Sequence, residues 1–190
     1  MTAHRFFSLL ALSSPLFVAS AGCSEAVPAA SEGAFSLQFV NAPSPGKECN
    51  IDTHNSNVGY TDVTENREFV KDTIDGATIY CAVTPEGDGF LAGGFMTHNG
   101  RHLEFTIPKI TAKATEASPA TGSVGYSSPQ TINKYQSPPG VPCKFWFEND
   151  QQISTGRIWM QFRCEEVEYP SANRSCQVSG GTIAMQNCDQ

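Results

Sequence analysis

Phe90–Ile107 reads FLAGGFMTHNGRHLEFTI. Asn99-Gly100 at its centre is the strongest two-residue hairpin signal in the chain, because both residues tolerate the positive φ that a type I′ turn demands. Taken literally, the turn sets residue i opposite residue 199 − i. Phe90, Ala92, Gly94, Met96, Leu103, Phe105 and Ile107 then share one face. Thr97, His102, Glu104 and Thr106 share the other, with Leu91 and Phe95 as exceptions. One register that sorts both strands into an apolar and a polar side predicts an antiparallel hairpin with one face in a core.

Working outward, the same period of two recurs. Ala77, Ile79, Cys81 and Val83 share one face of a strand behind an Asp75-Gly76 turn, and Phe35, Leu37 and Phe39 alternate with Ser36 and Gln38. Further strands are expected at Ser123–Ser127, Cys143–Glu148, Arg157–Val167, Ser175–Val178 and Thr182–Asn187. Cys49–Asn57 reads as a polar loop, Pro108–Gly140 as long loops around one strand, and Thr64–Lys71 as a possible short helix. Only 16% of residues are charged, while Gly 16 and Pro 12 are plentiful, a balance that favours short strands. The expected fold is mostly β: an antiparallel β-sandwich or partly closed barrel, one domain over residues 33–190, stapled by three disulfides.

The first 22 residues differ in kind. Arg5 supplies a positive start, Phe6–Ala19 is an apolar run too short and too broken to span a membrane, and small residues precede Cys23. Ser20-Ala21-Gly22-Cys23 resembles the lipobox of bacterial lipoprotein precursors. Ala21, Gly22 and Cys23 match that pattern, and Ser20 stands where an aliphatic residue is usual. The resemblance implies that Cys23 is acylated and becomes the new N-terminus, so that the bilayer is a partner through Cys23 and residues 23–32 are a tether. The other reading is an ordinary cleavage site that leaves Cys23 as a stray thiol. Ser24, where Asp would resemble the inner-membrane retention signal, implies the outer membrane in a host that has two.

Setting Cys23 aside leaves six cysteines: Cys49, Cys81, Cys143, Cys164, Cys176 and Cys188. An even number behind an export signal predicts three disulfides, and no CxxC spacing points to zinc or redox chemistry. Cys49 and Cys81 are the only two of these in the N-terminal half, so a Cys49–Cys81 bond is the simplest arrangement. A Gly180-Gly181 turn would set Cys176 and Cys188 too far apart to bond, so Cys188 reaches back to an earlier strand; Cys164 and Cys143 both qualify, with Cys164–Cys188 and Cys143–Cys176 the preferred arrangement. A net charge of −7 with no Lys/Arg run excludes an electrostatic case for nucleic acid.

Chemistry is sparse. His98 and His102 flank a turn and project from opposite faces, and His54 reads as a solvated loop residue. No GxSxG, P-loop or GxGxxG is present, and Glu165, Glu166 and Glu168 read as solvated charges at a sheet edge. No cofactor is called for. In KFWF (144–147) and IWMQFRC (158–164), Phe145, Ile158, Met160 and Phe162 take the core side. That leaves Lys144, Trp146, Trp159, Gln161 and Arg163 together on the other side. Two indoles among cations and amides would make a shallow platform for a sugar or peptide; cation–π and cross-strand packing beneath a covering loop such as the Pro-rich segment is the favoured alternative. The expected function is therefore a non-enzymatic binding or adhesion module taking a glycan or envelope protein. A structural envelope lipoprotein is the alternative, and an exported hydrolase a distant third.

Overall fold

The Asn99-Gly100 turn forms as the sequence predicts. Both residues take positive φ, 50° and 73°, and Met96 faces Leu103, Phe95 faces Glu104 and Ala92 faces Ile107. The computed structural model describes residues 28–61, 67–169 and 171–189. Within them the elements are β1 (Glu32–Val40), β2 (His54–Val58), β3 (Tyr60–Thr61), β4 (Arg67–Glu68), β5 (Val70–Lys71), β6 (Thr78–Glu86) and β7 (Gly89–His98). There follow β8 (Arg101–Ile110), β9 (Ala120–Ser127), β10 (Tyr135–Gln136), β11 (Cys143–Trp146), β12 (Gln152–Ser154), β13 (Arg157–Tyr169) and β14 (Arg174–Gln186).

One antiparallel sheet runs in the order β2-β1-β14-β13-β10-β9-β8-β7-β6. β10 and β11 lie in line between β13 and β9: Gln136 pairs with Glu168 and Gly125, Lys144 with Arg163 and Thr121. Pro138, Pro139 and Pro142 separate them, since proline has no N–H to give a ladder. The sheet curls into a partly closed barrel. Asp189, just past β14, bridges to β6, accepting from the Val83 N–H at 3.0 Å and donating to the Cys81 carbonyl at 2.9 Å. The inward positions fill the interior, with Phe35, Leu37, Phe39, Leu103, Ile107, Phe145, Met160, Phe162 and Ile183 buried, each contributing about 1.5–3 kcal/mol.

Several expectations need correction. The disulfides are Cys49–Cys176, Cys81–Cys188 and Cys143–Cys164, with Cα separations of 5.1, 4.7 and 4.3 Å. Cys143 and Cys164 are direct neighbours because Lys144 faces Arg163. The other two bridges join segments 127 and 107 residues apart. The Gly180-Gly181 turn does not exist: β14 runs straight through it, with Ser179 as the extra residue of a bulge opposite Gln38 and Phe39. Gly181 is glycine for another reason, since a Cβ there would run into the Phe162 ring.

His54–Val58 is a strand on β1 rather than part of a loop. Of the supposed helix, residues 67–71 form β4 and β5 and residues 64–66 lie outside the described residues, as do the leader and Cys23. The Glu165–Glu168 run is not merely solvated, and β13 is not an edge. Glu165 pairs with Lys144, while Glu166 and Glu168 both meet Lys47 at 2.7 Å and hold its ammonium above its usual pKa.

Candidate functional site

Lys144, Trp146, Trp159, Gln161 and Arg163 do share the outward side of β11 and β13, but the tryptophan platform does not form. The rings are only 6% (Trp146) and 3% (Trp159) exposed. Arg163 lies 5.6 Å over the Trp146 ring and Arg67, from β4, lies 4.1 Å over Trp159. Stacking a ligand needs an open ring face, and each indole here has a cation over one face and sheet beneath it. The cover is cation–π packing by arginines, and the Pro-rich segment contributes Glu116, which holds Arg163 in place. Lys144 and Arg163 are engaged with Glu165 and Glu116, and the Trp146 Nε1–H donates to Glu148 at 2.7 Å.

Gln161, like the Trp159 indole N–H, leaves a buried polar atom without a partner among the described residues, but unlike Trp159 it lines an open groove. The registers align Trp146, Gln161, Thr182, Ser36 and Asn57 in one row across β11, β13, β14, β1 and β2, with Gly180, Gln38 and Asn55 in the next. Apart from Trp146, these outward residues line a groove of about 480 Å³, with Tyr60 among them. Among the described residues, no Lys, Arg, Asp, Glu or His side chain lines it; it offers four amides, from Gln38, Asn55, Asn57 and Gln161, and the hydroxyls of Ser36 and Thr182. Gly180 leaves it open, since a Cβ there meets nothing within 4 Å.

Gln161 itself is 7% exposed. Its Oε1 accepts from the Thr182 hydroxyl at 3.2 Å, and its Nε2 has no partner among the described residues. Turning the amide over exchanges which atom is left unpaired but leaves one in either case. A buried donor without a partner costs about 1–3 kcal/mol.

Sequence reasoning placed Gln161 on the correct face and missed the rest of this site. The signal was present: Asn55 and Asn57 alternate with Ser56 and Val58, as Ser36 and Gln38 alternate with Phe35, Leu37 and Phe39. Polar composition masked that period of two and made residues 49–57 look like a loop.

A second groove, about 510 Å³, lies on the outward side of β6–β9. Tyr80, Leu91 and Phe95 wall it, over a floor that includes Ala82, Gly93, Thr106 and Ser123. Its polar rim is already satisfied. Glu104 pairs with Lys134 at 2.5 Å and with His102 at 3.3 Å, and His102 Nδ1 meets Thr97 Oγ1 at 2.8 Å. Partial burial alone would raise the Glu104 carboxyl, but Lys134 and His102 together hold it below its ordinary value. A hydroxyl–imidazole–carboxylate line has the components of an activated nucleophile. Here β7 is paired on both edges at Thr97, which commits the surrounding backbone N–H groups to the sheet instead of to an oxyanion.

His54 points inward from β2. Its Nδ1–H donates to the Asp52 carbonyl at 2.8 Å, so Nε2 is free to accept from the Tyr126 hydroxyl at 3.2 Å. Burial pushes the Tyr126 phenol above its usual pKa, which keeps it a donor. The ring also stacks on Phe39 at 5.3 Å, so His54 is a packed strand residue and not a solvated one. Among the described residues, no group of three or more His, Cys, Asp or Glu is placed to hold a metal ion. No protein-family model matches the chain, and no curated protein or solved structure matches it either.

Proposed function

We propose that this chain is an exported, lipid-anchored binding protein that holds its ligand in the amide groove and catalyses no reaction. The observation that carries this is Gln161: a glutamine more than nine-tenths buried, lining an uncharged groove, with one amide atom unpaired among the described residues. Such a group lowers stability unless something outside the chain completes it, and at a groove a ligand can do so. The groove's amides and aliphatic hydroxyls are also poor general acids or bases near neutral pH, which favours holding a ligand over transforming one.

Export is supported by the three disulfides, which form and persist in an oxidising compartment. They take up six of seven cysteines and leave Cys23, the residue that matches the lipobox. Among the described residues no helix is long and apolar enough to cross a membrane. Acylation of Cys23 is the proposed anchor and the outer membrane, where the host has one, the proposed location.

Two measurements test this. The mature protein from cells should carry the mass of acyl chains on Cys23, and Cys23→Ser should release it from membranes; an unmodified Cys23 removes the anchor. Labelled full-length protein, kept in detergent, should be retained on cell envelopes stripped of lipid, where an acyl chain has nothing to insert into, and Gly180→Trp, which fills the groove, should lose that retention. Equal retention of wild type and variant would leave only a structural role.

A further inference from the structure

We infer that the ligand of the amide groove is an uncharged oligosaccharide, gripped through its hydroxyls by the amide rows with the Tyr60 ring against its C–H face. This presupposes that the groove holds the ligand at all. Four features select this class. The first is charge: a phosphate, sulfate or uronate would call for Arg or Lys, and a basic peptide for Asp or Glu. Among the described residues no such side chain lines the groove, and the chain carries a net charge of −7.

The second is donor and acceptor balance. Each amide presents a donor and an acceptor, and each sugar hydroxyl is both at once, so the two sets match without either having to ionise. The third is shape. The rows cross β13, β14, β1 and β2, three interstrand steps of about 4.8 Å, which suits an extended chain of rings. The fourth is Tyr60, 47% exposed at the groove, where an aromatic ring offers an apolar face with a polar tip. Gln161 joins these features, because its unpaired amide atom is a buried polar group at the groove that the described residues leave unsatisfied.

The test uses the full-length chain in detergent on an array of neutral oligosaccharides (gluco-, xylo-, manno- and chito-series) beside uronate-containing and sulfated ones. Neutral glycans should bind and anionic ones should not. By titration with the best neutral glycan, Tyr60→Ala should weaken affinity about tenfold and Tyr60→Phe should not. Gln161→Met with Thr182→Val should weaken it tenfold or more, and Gly180→Trp should abolish it. Leu91→Trp, in the other groove, should leave it unchanged. Melting curves and the absence of free thiols in the described domain check that each variant is folded.

If Gly180→Trp loses envelope retention but no neutral glycan binds or competes, the glycan inference fails while the groove remains a binding site. Binding of anionic glycans alone would overturn the inference in the same way. If Gly180→Trp changes neither glycan binding nor envelope retention, both fail together.

Discussion

Two depressions of nearly equal size, about 510 and about 480 Å³, lie on the outer side of one barrel, and they differ in what their polar atoms are doing. On β6–β9 the rim is closed on itself: Thr97, His102, Glu104 and Lys134 satisfy one another beside an apolar wall. On β13, β14, β1 and β2 the residues are neutral, and at least one buried amide atom lacks a partner among the described residues. Volume alone does not distinguish the two. Hydrogen-bond satisfaction separates them, because water or a ligand must complete what the protein leaves open.

The largest effect should come from cutting the bond between these halves. Cys81–Cys188 ties β6, at the edge of the ion-paired half, to the end of β14 in the amide half. Its loop spans 107 residues, so Cys81→Ala with Cys188→Ala should cost about 4 kcal/mol of unfolding free energy. Denaturant titration under non-reducing conditions measures it. A loss below about 1 kcal/mol would mean that the sheet ladders close the barrel without the staple.

Next in size is a contrast between adjacent glycines. Gly181→Ala drives a methyl into the Phe162 ring and should destabilise by about 1–3 kcal/mol. Gly180→Ala points a methyl into the open groove and should be nearly neutral. Equal melting temperatures for the two variants would show that the inward and outward assignment along β14 is wrong.

A smaller change is expected at Gln161. Replacing both partners of its one side-chain hydrogen bond, as Gln161→Met with Thr182→Val, should be neutral or stabilising by up to about 1 kcal/mol, since an unpaired amide leaves the interior. A clear loss of stability would mean that the amide is satisfied in solution, and the contrast between the grooves would weaken.

The smallest effect is on pH dependence. The Glu104 carboxyl is held below its ordinary 4.5, so its stabilisation is present above about pH 4.5 and is lost as pH falls through the lower folded-state value. Lys134→Ala should shrink that acid-limb loss, by an amount kept small by solvent exposure of the pair. Tyr60 apart, no titrating side chain among the described residues lines the amide groove, so its ligand affinity should be flat between about pH 5 and about pH 8. A sigmoidal affinity profile in that range would place a charged group at the ligand.

Much of the scaffold is legible in the chain. The alternation in Phe90–Ile107 and the chemistry of Asn99-Gly100 specify a register that the structure reproduces, and Ile158, Met160, Phe162 and Cys164 fall inward as their period requires. Gln161 too is on the side that its position implies. These features are legible because turn φ angles and side-chain alternation are set within a few residues.

The features that carry function are set by strands far apart along the chain. Cys49 meets Cys176 because the segment before β2 lies against the start of β14, and no local pattern announces that. Trp159 is closed by Arg67 and Trp146 by Arg163, so outward alternation produces buried rings. Asn55 and Asn57 reach the neighbourhood of Gln161 only through two intervening strands, β1 and β14. Alternation assigns a side chain to a face, but what lies over that face depends on which distant strands become neighbours. That choice is made by packing of the whole barrel, where loop closure over a hundred residues is offset by the burial of a shared core.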